Sequence, residues 1–257
     1  MILSFINQKG GTAKTTSCLN IGAALARKGK SVLLIDLDPQ GSLTKAAGVH
    51  VTKDDKTLYE VLKGEIGGDD LALDDVTKDA KGYYIVPTDI RMSGAEIELV
   101  GTAGRDFLLK NAIDDMQQAY DYILIDCSPA LNIFTLMALT ASDSLIIPVS
   151  AQYMALDGMA QLLSTIKQVQ KRTNRGLAIY GVLVTMYDNR RIMDKEIVEN
   201  IKKYFPDKIF KTFIKINTKL AEAPARGEDI YKYDPKSTGA DCYTKVTEEI
   251  LERNPTK

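Results

Sequence analysis

The residues best placed to do chemistry stand near the start of the chain: Lys9-Gly10-Gly11-Thr12-Ala13-Lys14-Thr15-Thr16. A strand that ends at Asn7, a glycine pair and a helix that opens at Lys14-Thr15 would gather backbone N–H groups and a helix N-terminus around an anion. Phosphate is the anion that such a site suits. Lys14 is spaced to reach the β- and γ-phosphates of a nucleotide. The Thr15 hydroxyl is spaced to ligate Mg²⁺, a cation that takes few protein ligands and keeps several waters. The strict pattern G-x-x-x-x-G-K-[ST] is not met, because Gln8 and Ala13 occupy its two glycine positions. The elements around the loop must therefore carry the case.

Two further groups of carboxylates have the right setting. Residues 32–36 form an apolar run that ends at Asp36, followed by Leu37-Asp38-Pro39-Gln40-Gly41. Acidic residues there would lie at the carboxyl edge where an open α/β sheet binds its ligand. Residues 122–125 are a second apolar run, closed by Asp126, which suits an aspartate that reaches a magnesium shell. A single aspartate at a strand end is weak evidence, because caps and turns use Asp freely. A loop and two such strand ends in this order are strong evidence.

Stepping out from these residues, short apolar runs rich in β-branched residues fall at 2–6, 32–37, 83–86, 122–125, 145–149 and 179–185. They read as buried strands. Helical spacing fills 15–28, 106–119, 157–171 and 192–204, and this β-α-β alternation predicts an α/β fold: a doubly wound, mostly parallel sheet with helices on both faces. Gly29 is the expected C-terminal stop of the first helix. The acidic stretch 51–81 reads as a helical excursion over one sheet edge, and 238–253 as a closing helix packed on the body. No Pro-, Gly- or Ser-rich linker interrupts the chain, so one domain is expected over 1–257.

Composition narrows the function classes. The chain has 257 residues, 45% hydrophobic and 26% charged, with net charge -1, as in ordinary globular proteins. Cys18, Cys127 and Cys242 lack paired spacing, which points to reduced thiols, not a disulfide frame. His50 is the single histidine, which excludes a histidine-rich zinc site. The start lacks a basic leader with a cleavage site, and no run reaches membrane-spanning length, so a cytoplasmic location is expected.

With these motifs in hand, the chain resembles the ParA/MinD group of deviant Walker ATPases, and within it the short ParA or Soj proteins that partition DNA. The resemblance spans nearly the whole chain. It rests on Asn7-Gln8-Lys9-Gly10-Gly11 with Lys14-Thr15-Thr16, on Asp36 to Gly41, on Tyr122 with Ile125-Asp126-Cys127-Ser128-Pro129, and on Leu183-Val184-Thr185-Met186-Tyr187-Asp188. A last block holds Leu220-Ala221-Glu222-Ala223-Pro224, Gly227, Ser237-Thr238-Gly239-Ala240 and Tyr243.

The resemblance implies an ATPase that uses ATP/ADP and Mg²⁺ and acts as an ATP-bound homodimer. It implies that Lys9 crosses the dimer seam to the partner's phosphates, that Lys14 binds phosphate, and that Asp38 orients the attacking water. It further implies that Thr15 ligates magnesium while Asp36 and Asp126 hold its shell through water, and that Thr185, Met186, Tyr187 and the loop 214–216 lie by the adenine. This sequence departs from the family's pattern at four positions. Ala13 replaces the glycine before the loop lysine and Thr12 the usual valine, while Lys215-Ile216 stands where relatives often have Pro-Arg. If residue 13 needs positive φ, alanine there costs roughly 1 kcal/mol.

The same resemblance implies nonspecific DNA binding, nucleoid association and a ParB-like partner that stimulates hydrolysis. A local basic stretch is available for DNA: from Lys202 to Lys232 there are eight basic and four acidic residues. Lys202, Lys203, Lys211, Lys215, Lys219 and Arg226 are the candidates, and lysines that neutralise phosphates carry no base information. No helix-turn-helix precedes the first strand, so operator binding is not expected. Two alternatives remain at this level. A MinD-like membrane-positioning ATPase conflicts with the polar end 252–257. A metal-cluster reductase would need a cysteine partner for Cys127.

Overall fold

The computed structural model describes residues 1–68, 71–151 and 156–253. The last four residues, part of the polar end weighed against a membrane anchor, lie outside the described residues. Seven strands form one sheet: β1 (Ile2–Phe5), β2 (Val32–Asp36), β3 (Lys78–Asp79), β4 (Tyr84–Val86), β5 (Tyr122–Asp126), β6 (Ser144–Ser150) and β7 (Ala178–Thr185). Their order is β3-β4-β2-β5-β1-β6-β7. Every pairing is parallel except β3 with β4. β3 was not foreseen: two residues are too few to show a period, and such a stub ends a sheet without offering a long open edge.

The expected double winding is present. One apolar layer joins Leu33, Ile35, Ile123, Ile125 and Ile147 of the sheet to Leu58, Leu62, Leu109, Met137, Leu162 and Ile201 of the helices. The opposite layer joins Leu3, Phe5, Leu34, Leu124 and Ile146 to Leu19, Leu25, Ile230, Val246 and Ile250. Adjacent sheet residues alternate between the two layers, as the pleat requires. Helices Leu156–Arg172 and Ile192–Tyr204 follow the predicted spacing. In the first, Met159, Leu162, Ile166 and Val169 recur every three or four residues and are buried.

The helix expected over 106–119 is shorter, a 3-10 turn at Arg105–Phe107 followed by Leu108–Asp114. An unforeseen helix, Ile133–Ala141, is apolar almost all round, so it shows no amphipathic stripe. The excursion 51–81 contains short helices Leu58–Gly64 and Leu73–Val76 beside the β4 side of the sheet.

For the site, what matters is register. The β2–β5 pairing sets Asp36 beside Asp126, and the β1–β5 pairing sets Phe5 beside Asp126. The loop that leaves β1 therefore emerges next to two carboxylates, at the sheet edge where the winding turns from β2 and β5 on one side to β6 on the other.

Candidate functional site

The loop between β1 and the helix Lys14–Arg27 is tied down from several directions. Asn7 donates its amide to the Pro148 carbonyl at 2.7 Å and accepts from the Lys9 N–H at 3.0 Å. Thr185, at the end of β7, donates its hydroxyl to the Thr12 carbonyl at 3.1 Å. Gly11 and Ala13 both adopt left-handed backbone, with φ of 71° and 64°. Ala13 is the N-cap residue, and its carbonyl accepts the first helical hydrogen bond from Ser17 at 2.9 Å. The conditional stated from sequence is thus met: position 13 does need positive φ, and alanine bears the strain. A Cβ added at Gly10 or Gly11 would meet nothing within 4 Å, so the protein leaves the space beside the loop open.

Lys14 is buried, and its ammonium donates to the Lys9 carbonyl at 3.1 Å. Burial lowers its pKa, opposed by the charges of Asp126, Cys127 and Asp38. Thr15 donates its hydroxyl to Asp126 Oδ2 at 2.6 Å. Asp126 Oδ1 is buried and has no hydrogen-bond partner. Burial, then the nearby Asp36, pushes the Asp126 carboxyl well above the usual range. Such an orphaned oxygen beside a threonine hydroxyl and a helix N-terminus fits a hard cation and its waters, which would reverse the local charge balance. Among the described residues no cluster of three or more His, Cys, Asp or Glu is set to hold a metal. A cation here would rest on Thr15, Asp126 and oxygens of a bound anion.

Asp36, expected to hold the magnesium shell through water, is itself fully buried and hydrogen-bonded. Its Oδ2 accepts from both the N–H and the hydroxyl of Thr44 at 2.7 Å, and its Oδ1 accepts from the Asp38 N–H at 3.3 Å. These bonds tie the β2 end to the short helix Ser42–Ala46. Burial raises the Asp36 carboxyl to about 6, with the Thr44 bonds opposing. Asp38 is only partly buried and caps its own turn, taking the Gln40 N–H at 3.0 Å. Lys9 is likewise partly exposed at the mouth of the loop.

Beside the loop lies a cavity of about 320 Å³ lined by Ala13, Thr16, Thr185, Met186, Ile214, Lys215, Ile216, Asn217, Thr218, Leu220, Ala221 and Tyr243. Met186 and residues 214–216, expected from sequence to lie by the adenine, are among its lining residues. Tyr187 does not line the cavity; its ring packs edge-on against Phe213 with centroids 5.0 Å apart. Thr16, a candidate from the sequence, lines the cavity too, whereas sequence reasoning missed Asn217, Thr218 and Tyr243 as lining residues. The signal for these three was position close to motifs already recognised.

The basic stretch is split. Lys202 and Lys203 end a helix whose Ile197, Val198 and Ile201 pack on one layer, whereas Leu220 and Ile230 belong to the other. Residues 208–216 run along the outer side of β7, through bridges Val182 to Ile209 and Tyr187 to Lys215. Lys202 pairs with Glu199 at 2.6 Å and Lys219 with Glu222 at 3.0 Å. Arg226 stacks over the Tyr233 ring at 5.5 Å. Lys211 and Lys215 follow the β7 side of the sheet, whereas Arg226 lines a groove with Asp79, Ala80 and Lys81 near the β3–β4 edge, so the candidates do not form one flat face. Cys18, Cys127 and Cys242 are all free and buried.

A phosphate-type loop after β1, with aspartates at the ends of two neighbouring parallel strands, defines a doubly wound nucleotide-hydrolase fold of the P-loop class. Comparison with known proteins narrows this. A family model described as an AAA domain matches residues 1–179. The sporulation initiation inhibitor protein Soj of Bacillus subtilis is 45% identical over 251 residues, covering 97% of each chain. The chromosome partitioning protein ParA of Caulobacter vibrioides is 39% identical over 254 residues, covering 98% of this chain and 94% of its own. The chain belongs to the Soj/ParA family of chromosome-partitioning proteins.

Solved structures agree on the fold. Cobyrinic acid a,c-diamide synthase of Mycobacterium smegmatis, with a bound ATP analogue and magnesium, aligns with TM-score 0.87 and 33% identity over 98% of this chain and 94% of that one. The septum site-determining protein MinD of Pyrococcus horikoshii, complexed with Mg-ADP, aligns with TM-score 0.75 and 26% identity over 97% and 95%.

Proposed function

We propose that the protein is a DNA-partition ATPase: it binds ATP with Mg²⁺, pairs as a homodimer, holds nonspecific DNA and is reset by hydrolysis that a ParB-like partner stimulates. It would act in the cytoplasm on the nucleoid. The observation that carries the reading is the Thr15–Asp126 hydrogen bond with the unpartnered Asp126 Oδ1 behind it, beside Lys14. Full-length Soj and ParA relatives support the cargo class, since a protein named as a diamide synthase shares the same fold and fold alone does not choose.

In this reading Lys14 turns from the Lys9 carbonyl to the β- and γ-phosphates, and the N–H groups of the loop receive the same charge. Thr15 and Asp126 hold magnesium, which when bound supplies neutralisation of the phosphate charge. Asp36 acts one step back: it holds the β2 end and so the Asp38 turn. Asp38 accepts a hydrogen bond from the attacking water and orients it. Lys9, at the loop mouth, reaches across a dimer seam. Met186 and the 214–216 loop pack on the adenine.

The test is nucleotide binding and turnover measured together. Asp38→Ala should keep labelled-ATP binding and lose turnover by roughly 100-fold or more, as removal of a catalytic acid–base group does. Thr15→Ala should weaken Mg²⁺-dependent binding. A wild-type protein that binds no ATP would overturn the proposal.

A further inference from the structure

Apart from the nucleotide cleft, a groove of about 640 Å³ opens where the loop after the helix Ser42–Ala46 meets the loop after the 3-10 turn Ala223–Arg226. Two backbones touch there. Gly48 and Gly227 both have positive φ, 75° and 67°, and a Cβ on Gly48 would stand 2.5 Å from the Gly227 carbonyl oxygen. Cationic side chains converge on the groove. Lys232 is committed to Asp229 at 3.0 Å and to the Ala80 carbonyl at 2.9 Å. Lys45 donates to the Gln40 carbonyl at 2.9 Å. The Lys81 ammonium, the Arg226 guanidinium and the His50 imidazole, all lining the groove, have no hydrogen-bond or ion-pair partner among the described residues. Glu228, which also lines the groove, is a carboxylate without such a partner among the described residues.

A second cavity of about 310 Å³ adjoins the first, sharing Lys45, Val49 and His50 with it, and is lined also by Thr88. Thr88 is 2% exposed, and its hydroxyl is buried without a partner. Unpaired cations and an unpaired carboxylate lining one groove, with an orphaned buried hydroxyl on the adjoining cavity, suit a hydroxyl-bearing anion.

We infer that this groove binds a small phosphorylated polyol, such as a sugar phosphate or the ribose phosphate part of a nucleotide. Lys81, Arg226 and His50 take the phosphate, Glu228 accepts from a ligand hydroxyl, and the polar remainder runs toward Thr88. The site is concave and leads to a buried hydroxyl, so it favours a free small molecule over the outer phosphates of duplex DNA. It also has a route to the chemistry. A phosphate that draws the Lys45 ammonium off the Gln40 carbonyl frees the turn that carries Asp38. Binding is independent of the ATPase reading, whereas this effect on turnover rests on it.

The experiment is calorimetric titration of ribose 5-phosphate into the full chain held in saturating Mg-ADP, repeated with the K81Q/R226Q double variant. One saturable site is expected in the wild type, weakened about tenfold or more in the double variant, as loss of two charge-assisted hydrogen bonds implies, with ADP affinity unchanged. Ribose 5-phosphate should also slow ATP turnover in the wild type and not in the variant. No saturable binding, or equal binding in the two proteins, overturns the site. Binding of a short DNA duplex through Lys81 and Arg226 without ribose 5-phosphate binding also overturns it. Binding with unchanged turnover overturns only the coupling. Failure of the protein to bind ADP counts against the ATPase reading and leaves the ribose 5-phosphate comparison standing.

Discussion

Ala13 holds φ at 64°, in a backbone region that excludes most L-residues. A left-handed alanine bears about 1–2 kcal/mol of strain. Glycine would relieve that strain but loses roughly 0.4–1 kcal/mol through its greater freedom when unfolded. The difference favours glycine, so Ala13→Gly should stabilise the protein by up to about 1 kcal/mol, raising the melting temperature by roughly 2–4 °C. Thermal unfolding in the absence of nucleotide checks this, and a fall in melting temperature would mean that the alanine methyl contributes more by packing than the strain removes. Asp36 gives a second test at this scale. Its folded pKa is raised to about 6 from 3.8, so between those values the folded protein holds a proton that the unfolded chain has lost. Stability from this group therefore falls as pH rises from about 4 to 6, by on the order of 2–3 kcal/mol. In metal-free protein, Asp36→Asn should flatten the melting-temperature profile across that window; an unchanged slope would assign the effect elsewhere.

The joint between Gly48 and Gly227 shows how elements far apart in sequence fix one another. Both residues are left-handed, and a Cβ on Gly227 would stand 2.7 Å from the Gly48 Cα. Gly48→Ala adds backbone strain and a clash with a main chain that cannot swing aside, so it should destabilise by about 2–4 kcal/mol. Chemical denaturation reads this as a lower midpoint with unchanged slope. The sequence contained the glycines but no sign that they meet. It did contain the six longer strands, because buried parallel strands are continuous β-branched runs, and the loop with its carboxylates, because these sit at strand ends. It did not reveal the helix Ile133–Ala141, whose apolar surface has no polar face to mark a period. Nor did it reveal which way Tyr187 turns: residue order places a side chain at a strand end, and only packing, here against Phe213, decides whether it faces the cavity. The commitment of Asp36 to Thr44 was hidden for the same reason, since the partners stand eight positions apart in the chain with a turn and the start of a helix between them.

Across the whole molecule, the net charge of -1 gives no attraction to DNA, so any DNA affinity must come from local cations that the fold leaves unpaired. Here the structure separates candidates that the sequence treated alike. Lys202 and Lys219 already face Glu199 and Glu222, whereas Lys211 and Lys215 have no ion-pair partner among the described residues. Each lysine that truly neutralises a phosphate releases counterions and steepens the salt dependence of binding by about 0.9 in the logarithmic slope. Lys211→Ala should therefore flatten the slope by roughly 0.9, weaken all duplex sequences alike and leave nucleotide affinity unchanged. Lys202→Ala should change the slope less, because its removal also frees Glu199. Lys215 lines the cavity proposed for the adenine, so its substitution is expected to weaken ADP binding together with DNA binding. Because the proposed ATP-bound dimer would present every such lysine twice, the effect of Lys211→Ala should be larger with ATP than with ADP. Fluorescence anisotropy of a labelled duplex over a salt series, with each nucleotide, measures all of these. A slope that Lys211→Ala leaves untouched would move the DNA contact off the β7 side of the sheet.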